Sequence, residues 1–319
     1  MALHTSKRFV FSTTGLIAPI LIFISASFAA EPLAQQNSPM LTPLKTRKST
    51  PSANLKVETT MVLVPVTVTD AKDHPVSDLT PGVFRVFEDN VEQKVVSFQQ
   101  EDGPVSVGFI FDSSSSMKKR MDKSIAAIQQ FLKTLMPKDE FFLIRFADSP
   151  KMVTGFTDKP DDILSELSFV QPQGWTALND AIVLGIHKMR AAKNSRRALF
   201  VLTDGSDNNS RYTDNELRNL VRESDVRIYS IGLYERPDYL AKLGMDSGGK
   251  AYWAHSLDDL PKTVERLSRD FRNQYVLGYE PQDPHNDGKF RQVRVQILKT
   301  IEGMPLNVFW RHGYFSLPE

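Results

Sequence analysis

Asp112-Ser113-Ser114-Ser115-Ser116 is the run whose side chains have the most chemistry to offer. It follows an apolar segment, Val105 to Phe111, that reads as a buried parallel strand. The first strand of an open parallel sheet commonly ends in a glycine-rich loop that lets backbone approach a pyrophosphate. Here that loop has no glycine, so a phosphate cradle is not expected. It offers one carboxylate and a row of hydroxyls instead. Oxygen ligands of that kind suit a hard divalent cation, Mg2+ above all, which keeps waters and accepts few protein ligands. Two other segments supply matching groups. Thr176 stands in Gly174-Trp-Thr-Ala-Leu-Asn-Asp180, just ahead of a helical pattern, and Asp204 in Thr203-Asp-Gly-Ser206, just after a strand. Open parallel sheets present ligand sites at the C-terminal ends of their strands, so all three loops are expected on one sheet edge.

The elements that must position these groups follow from hydrophobic period. Ile125, Ile128, Phe131, Leu132 and Leu135 recur at helical spacing, and Phe141 to Phe146 is a strand with Met152 to Phe156 as its hairpin partner. Leu178, Ile182, Ile186 and Met189 mark a second helix, Ala198 to Leu202 a buried strand, and Leu217, Leu220 and Val221 a third helix. Strands at 226–231 and 251–254 come next. A last helix is expected from Ser256, with Asp259 at the capping-box position, to Asn273. Strands alternating with helices predict a doubly wound, mostly parallel α/β sheet over 104–273.

On both sides of this segment the period is two. Val62, Val64, Val66 and Val68 alternate with other residues, and Pro65 argues for an edge strand or a bulge. Further strands are expected near Phe84 to Val86 and Val95 to Phe98. Beyond the last helix, 275–279, 290–298 and 306–310 read as strands, with Asn286-Asp-Gly288 a hairpin turn. Each flank alone is a thin sheet with an uncovered face. The economical solution packs 56–103 and 274–319 together as one small β-sandwich.

The 319 residues have 41% apolar and 24% charged residues, ordinary globular usage, and a formal net charge of +1. No global field points to nucleic acid or an anionic membrane. The absence of cysteine excludes disulfides, thiolate catalysis and cysteine-ligated zinc. His4, Lys7 and Arg8 precede an apolar stretch, Phe9 to Ala30, that ends in small residues, the layout of a secretory signal over 1–30. Ser12, Thr13, Thr14 and Pro19 dilute it, which favours cleavage over a permanent anchor; with no Cys behind it, a lipoprotein is excluded. Residues 31–55, rich in Pro, Gln, Ser and Thr, read as a flexible linker, or else as a tail left by processing. The expected place is periplasmic or extracellular, with a membrane tether only if the signal stays uncleaved.

Taken singly, each site residue has an ordinary use: Asp112 as a helix cap, Asp204 in a tight turn, Ser114 and Ser116 as solvated hydroxyls, Thr176 as an N-cap. Taken together and in order, Asp112, Ser114, Ser116, Thr176 and Asp204 resemble the metal-ion-dependent adhesion motif of von Willebrand factor type A domains. The resemblance covers about residues 104–273. The flanking β-segments and the terminal Gly313 to Phe315 are similar to a bacterial subfamily of these proteins. It implies that Ser114 and Ser116 touch a divalent cation directly, Mg2+ first, with Mn2+ or Ca2+ as alternatives. Thr176 would bind directly or through water, and Asp112 and Asp204 largely through water. It further implies that a partner protein's Asp or Glu completes the shell, in adhesion or another protein–protein interaction.

Around the motif, Trp175 is expected as an exposed contact anchor or folded back onto the domain. Asp180 is expected to support the loop, and Asp207 to be a turn residue first and a rim contact second. Lys118, Lys119 and Arg120 are expected to open the first helix, against its dipole, either attracting an anionic partner or as plain surface. No Gly-x-Ser-x-Gly elbow, His-Glu-x-x-His or paired acid/base constellation is present, so an enzyme is not expected. The alternative to adhesion is an envelope or secretion-assembly scaffold whose metal site is structural or unused.

Overall fold

Fifteen core positions on three adjacent strands of the central sheet alternate between two layers of helices, and this sets the architecture. The computed structural model describes residues 61–101, 103–234, 238–282, 287–301 and 303–316. The expected signal (1–30) and linker (31–55) lie outside the described residues, as does Asn286 of the expected hairpin turn.

In chain order the elements are β1 (Val62–Thr69), β2 (Phe84–Glu88), β3 (Val91–Gln93), β4 (Val95–Glu101), β5 (Val105–Asp112), α1 (Met121–Leu132), β6 (Glu140–Phe146), β7 (Pro150–Thr157), α2 (Pro160–Ser168) and α3 (Leu178–Met189). They continue with β8 (Arg196–Thr203), α4 (Asp214–Glu223), β9 (Val226–Leu233), α5 (Asp238–Ser247), β10 (Lys250–Ala254), α6 (Leu260–Arg272) and β11 (Gln274–Tyr279). The last are β12 (Phe290–Ile297), β13 (Thr300–Ile301), β14 (Met304–Pro305), β15 (Asn307–Trp310) and β16 (Gly313–Phe315).

The central sheet has the order β10-β9-β8-β5-β6-β7, parallel except for the β6–β7 hairpin. From β5 the chain goes outward to β6 and β7, then returns to place β8 on β5's other side. The β5/β8 boundary is therefore the topological switch point, where an open sheet leaves a crevice beyond its strand ends. On β5, Val105, Val107, Phe109 and Phe111 face the layer of α1, α2 and α6, while Ile110 faces that of α3, α4 and α5. Phe131 of α1 stacks on Phe200 of β8 with centroids 4.9 Å apart. Gly108 leaves the room that Phe142 uses: a Cβ there would lie 2.3 Å from the Phe142 ring.

The flanks form two four-stranded sheets, β15-β1-β11-β4 and β16-β12-β2-β3. Val64, Val66 and Val68 of β1 and Leu277 of β11 meet Val86, Val293 and Val295 of the other sheet in a shared core. A small β-sandwich built from both flanks is therefore present, beside the doubly wound sheet. Buried Glu88 accepts hydrogen bonds from the hydroxyls of Tyr279 (2.5 Å) and Tyr314 (2.8 Å), which ties the β16 strand into this core. Burial and that carboxylate push both tyrosines well above their ordinary pKa.

The second face of β1, with Thr67 and Thr69, is also buried, because the sandwich packs on the α/β sheet through polar groups. Glu101 of β4 forms a two-pronged ion pair with Arg227 (2.5 and 3.2 Å) and also meets Arg196 at 3.3 Å. Gln274 donates to Thr67 Oγ1 (2.9 Å) and to the Tyr229 hydroxyl (2.6 Å). The two guanidiniums hold Glu101 below the usual carboxylate range against the opposing effect of burial. No linker separates α6 from β11, as the sequence led us to expect.

Several expectations are corrected. Strand β1 is interior, between β11 and β15, not an edge. The β15 ladder runs only from Val66 to Thr69, so Pro65 stands just past its end, while on the other side it lies opposite Val276 of β11. Helix α6 starts at Leu260, not Ser256: Ser256 and Asp259 do pair (2.9 Å), but they close a separate turn one step ahead. Strands β11 and β12 do not pair as a hairpin, because the chain crosses from one sheet to the other between them. Helices α2 and α5 were not anticipated. Among the described residues no helix is long and apolar enough to cross a membrane.

Candidate metal centre

Strand β5 delivers Asp112 to the switch point, where its side chain is fully buried. One oxygen accepts the Ser114 N–H at 2.8 Å, and the other accepts the Thr203 hydroxyl of β8 at 2.6 Å. Burial raises the Asp112 pKa; the bonds from Thr203 and Ser114 and the Arg120 charge work against that rise. Asp112 is thus tied to the neighbouring strand and to its own loop, and it sets the path of the residues that follow.

After Ser114 the chain makes a tight 3-10 turn, Ser115–Lys119, anchored by the fully buried Met117. The turn brings the Ser114 and Ser116 hydroxyls to 3.0 Å, and Ser116 Oγ donates to Asp204 Oδ1 at 2.7 Å. Ser114 is buried and Ser116 exposed, so the pair spans from the interior to the surface. The second oxygen of Asp204, whose side chain is wholly buried, is ion-paired with Arg120. That guanidinium also donates to the Ser116 carbonyl (3.3 Å) and lies 4.7 Å from the Tyr234 ring centroid.

The third loop is held against the first two by backbone. Ser115 N–H donates to the Gly174 carbonyl (3.1 Å), Gln173 N–H to Ser113 (2.9 Å), and Ala177 N–H to Ala147 (2.8 Å). Thr176 is buried; its N–H donates to Asn208 Oδ1 at 2.8 Å and its carbonyl accepts the Asn208 N–H at 3.0 Å. Gly174 has φ +78°, and a Cβ there would lie 2.5 Å from the Asp148 carboxylate. That carboxylate accepts the Trp175 N–H at 2.8 Å. Gly174 is therefore required both by its left-handed backbone and by the close approach of Asp148.

The structure thus brings Asp112, Ser114, Ser116 and Asp204 into one bonded chain and sets the Thr176 loop beside them. Trp175 projects into solvent, 64% exposed, rather than folding back. Asp180 supports the loop, accepting the Arg211 and Tyr212 N–H groups at 2.9 and 3.1 Å. Asp207 is spent in the turn: one oxygen accepts the Asn179 N–H at the start of α3 (2.9 Å) and the Ser210 hydroxyl (2.5 Å). Lys118 and Lys119 are exposed but do not open the first helix, because they lie in the 3-10 turn. Helix α1 starts at Met121 and carries Asp122 in its first turn. Arg120 was grouped with these lysines and instead turns back to Asp204. Asp148, Thr203, Asn208 and Tyr234 were not singled out; the Thr203-Asp-Gly-Ser206 motif was the one signal that pointed at any of them.

The donor set fits a hard cation. Adjacent oxygens in an octahedral Mg2+ shell of about 2.1 Å radius stand about 3 Å apart, which is the spacing of the two serine hydroxyls. Among the described residues no three His, Cys, Asp or Glu side chains converge, so a soft or imidazole-based centre has no counterpart here.

These features define a doubly wound α/β domain with hydroxyls and carboxylates gathered at its switch point. The chain carries a von Willebrand factor type A domain, whose family model matches residues 107–206. Inter-alpha-trypsin inhibitor heavy chain H4 of Homo sapiens is 24% identical over 201 residues, 57% of this chain and 22% of that protein. Heavy chain H3 of Bos taurus is 24% identical over 204 residues, 57% of this chain and 23% of that one. The chain thus spans less than a quarter of the length of these curated relatives. Among solved structures, proximal thread matrix protein 1 from the mussel byssus is similar over 57% of this chain and 49% of that one, at 20% identity and a TM-score of 0.47.

Proposed function

We propose that the protein is an exported interaction protein that binds a partner through a divalent cation held by Ser114, Ser116, Thr176, Asp112 and Asp204. The observation that carries this reading is the 3.0 Å pair of serine hydroxyls set between two buried carboxylates at the sheet's switch point. When bound, the ion supplies an electrophilic centre with an open coordination position. Ser114 and Ser116 give it little charge, so it stays attractive to an anionic ligand. Asp112 fixes the serine loop through Ser114 N–H, and Asp204 orients the Ser116 hydroxyl.

The ligand is a protein that presents an Asp or Glu carboxylate. Trp175 stands as an exposed aromatic beside the loop, the residue type that anchors contacts, and Lys118 and Lys119 speed the approach of an acidic partner. Mg2+ is the first choice of ion, with Mn2+ or Ca2+ as alternatives. Export, periplasmic or extracellular, rests on the N-terminal pattern, and nothing in the site argues for catalysis or nucleic acid. An assembly scaffold with an unused metal site is the second reading; the Arg120–Asp204 ion pair favours it, since it balances Asp204 without an ion.

Metal-linked stability tests the proposal. Binding to the folded state alone raises the melting temperature. Millimolar Mg2+ or Mn2+ should stabilise the wild type and leave Asp112→Ala unmoved; no shift in the wild type would sink the metal reading. Pull-downs from envelope extract with magnesium or chelator then separate the two roles. Loss of capture in Asp112→Ala supports bridging, and unchanged capture supports the scaffold.

A further inference from the structure

Arg120 occupies an unusual place beside the site. It lies at the joint between the 3-10 turn and α1, and its side chain is 27% exposed while that of Asp204 is 0% exposed. Asp204 divides its carboxylate: Oδ1 takes the Ser116 hydroxyl, and Oδ2 faces the guanidinium. Among the described residues no hydrogen-bond donor other than this guanidinium serves Oδ2. Two further contacts fix the arginine, the Ser116 carbonyl at 3.3 Å and the Tyr234 ring at 4.7 Å. The carbonyl belongs to the same residue whose hydroxyl belongs to the site.

We propose that Arg120 is a built-in counter-cation that competes with the divalent ion for Asp204 and thereby sets the affinity of the site. This rests on the metal-bridged reading above. A buried carboxylate needs a compensating charge. With no ion bound, the guanidinium supplies it. A divalent ion drawing on Asp204 brings a like charge close to the guanidinium in a partly buried setting, where repulsion is poorly screened. The two cations therefore exclude one another, and ion entry requires Arg120 to leave Asp204 for solvent. Its partial exposure leaves a way out, and the neighbouring Lys118 and Lys119 remain in solvent throughout.

A purely structural arginine and a competing one differ in sign. Removing a structural arginine lowers stability and weakens the site together. Removing a competitor lowers stability without metal and strengthens metal binding. The test titrates Mn2+ into chelator-stripped full-length wild type, Arg120→Met, Arg120→Lys and Asp112→Ala by calorimetry and by the electron paramagnetic resonance of free Mn2+, with thermal melts of each. The expected result is that Arg120→Met binds at least about tenfold tighter than wild type, about 1.4 kcal/mol. It melts lower than wild type in chelator, and the gap closes at saturating Mn2+. Arg120→Lys, with a shorter reach and an intact charge, falls between them and keeps the comparison open should the methionine variant fold poorly. Asp112→Ala shows no site binding, which sets the surface background. Equal or weaker binding by both Arg120 variants, with the wild type still binding, overturns the competition and leaves the metal reading standing. No Mn2+ binding by any form overturns both.

Discussion

Replacing Glu101 by Gln tests whether the two halves of the molecule are held together by buried charge. The carboxylate sits on β4 of the sandwich and meets two guanidiniums of the α/β sheet, Arg227 in two-pronged fashion and Arg196 at 3.3 Å. Their side chains are 15% and 5% exposed. Gln keeps the shape and removes the charge, leaving two half-compensated cations in a poorly solvated seam. Breaking a buried pair from one side costs about 3–5 kcal/mol. For a domain of this size each kcal/mol moves the melting temperature by about 2–4 °C, so a fall of roughly 10 °C is expected at pH 7. The pH dependence has a definite sign. Glu101 has a folded-state pKa below its ordinary value of 4.5, so its contribution is fully present above that value and is lost as pH falls through the folded pKa. Urea titrations of wild type and variant should therefore lie far apart at pH 7 and draw together as the pH falls below 4.5. A difference under about 1 kcal/mol at pH 7, or one that does not shrink in acid, would refute the charged-seam account.

Three further outcomes are expected. Gly174→Ala should cost about 1–3 kcal/mol, because it strains a left-handed backbone against Asp148, and should weaken Mn2+ binding with it; an unchanged melt would mean the loop relaxes freely. Thr203→Val removes the hydroxyl that holds Asp112 and should weaken metal binding about 10- to 100-fold, the usual effect of losing a supporting bond, with calorimetry as the readout. Trp175→Ala should leave the melt and Mn2+ affinity within error, since the ring is 64% exposed, while lowering capture of the acidic partner; unchanged capture would remove Trp175 from the interface.

The switch-point loops were readable because an apolar run that stops abruptly at Asp112 says where a buried strand ends and which side chains it delivers. The sandwich was readable in its faces, since Val64, Val66 and Val68 alternate, but not in its pairing. A period of two tells which side a residue faces and is silent on the neighbour, so the interior place of β1 was missed. Helices α2 and α5 went unread although each buries two apolar residues, Ile163 with Leu167 and Leu240 with Leu243, as many as α4 does. Arg120 was misjudged for a local reason. A 3-10 turn and an α-helix aim the fifth residue in different directions, and spacing alone cannot tell them apart. Asp148 and Asn208 touch the Thr176 loop across 27 and 32 residues, and no local pattern encodes such a meeting.

The sandwich is closed by strands drawn from either side of the α/β segment, and this constrains the order of folding. Thr67 and Gln274, joined by one hydrogen bond, are 207 residues apart in the chain. Until β11 arrives, β1 has a bare ladder on one side, and it stays bare on the other until β15 follows. The α/β segment is mostly closed by contacts within itself, and it can settle first as the chain emerges in order. Strands β1 and β4, which both pair with β11, must wait, extended and unpaired, for a late arrival, so premature strand pairing between copies is the hazard this topology carries.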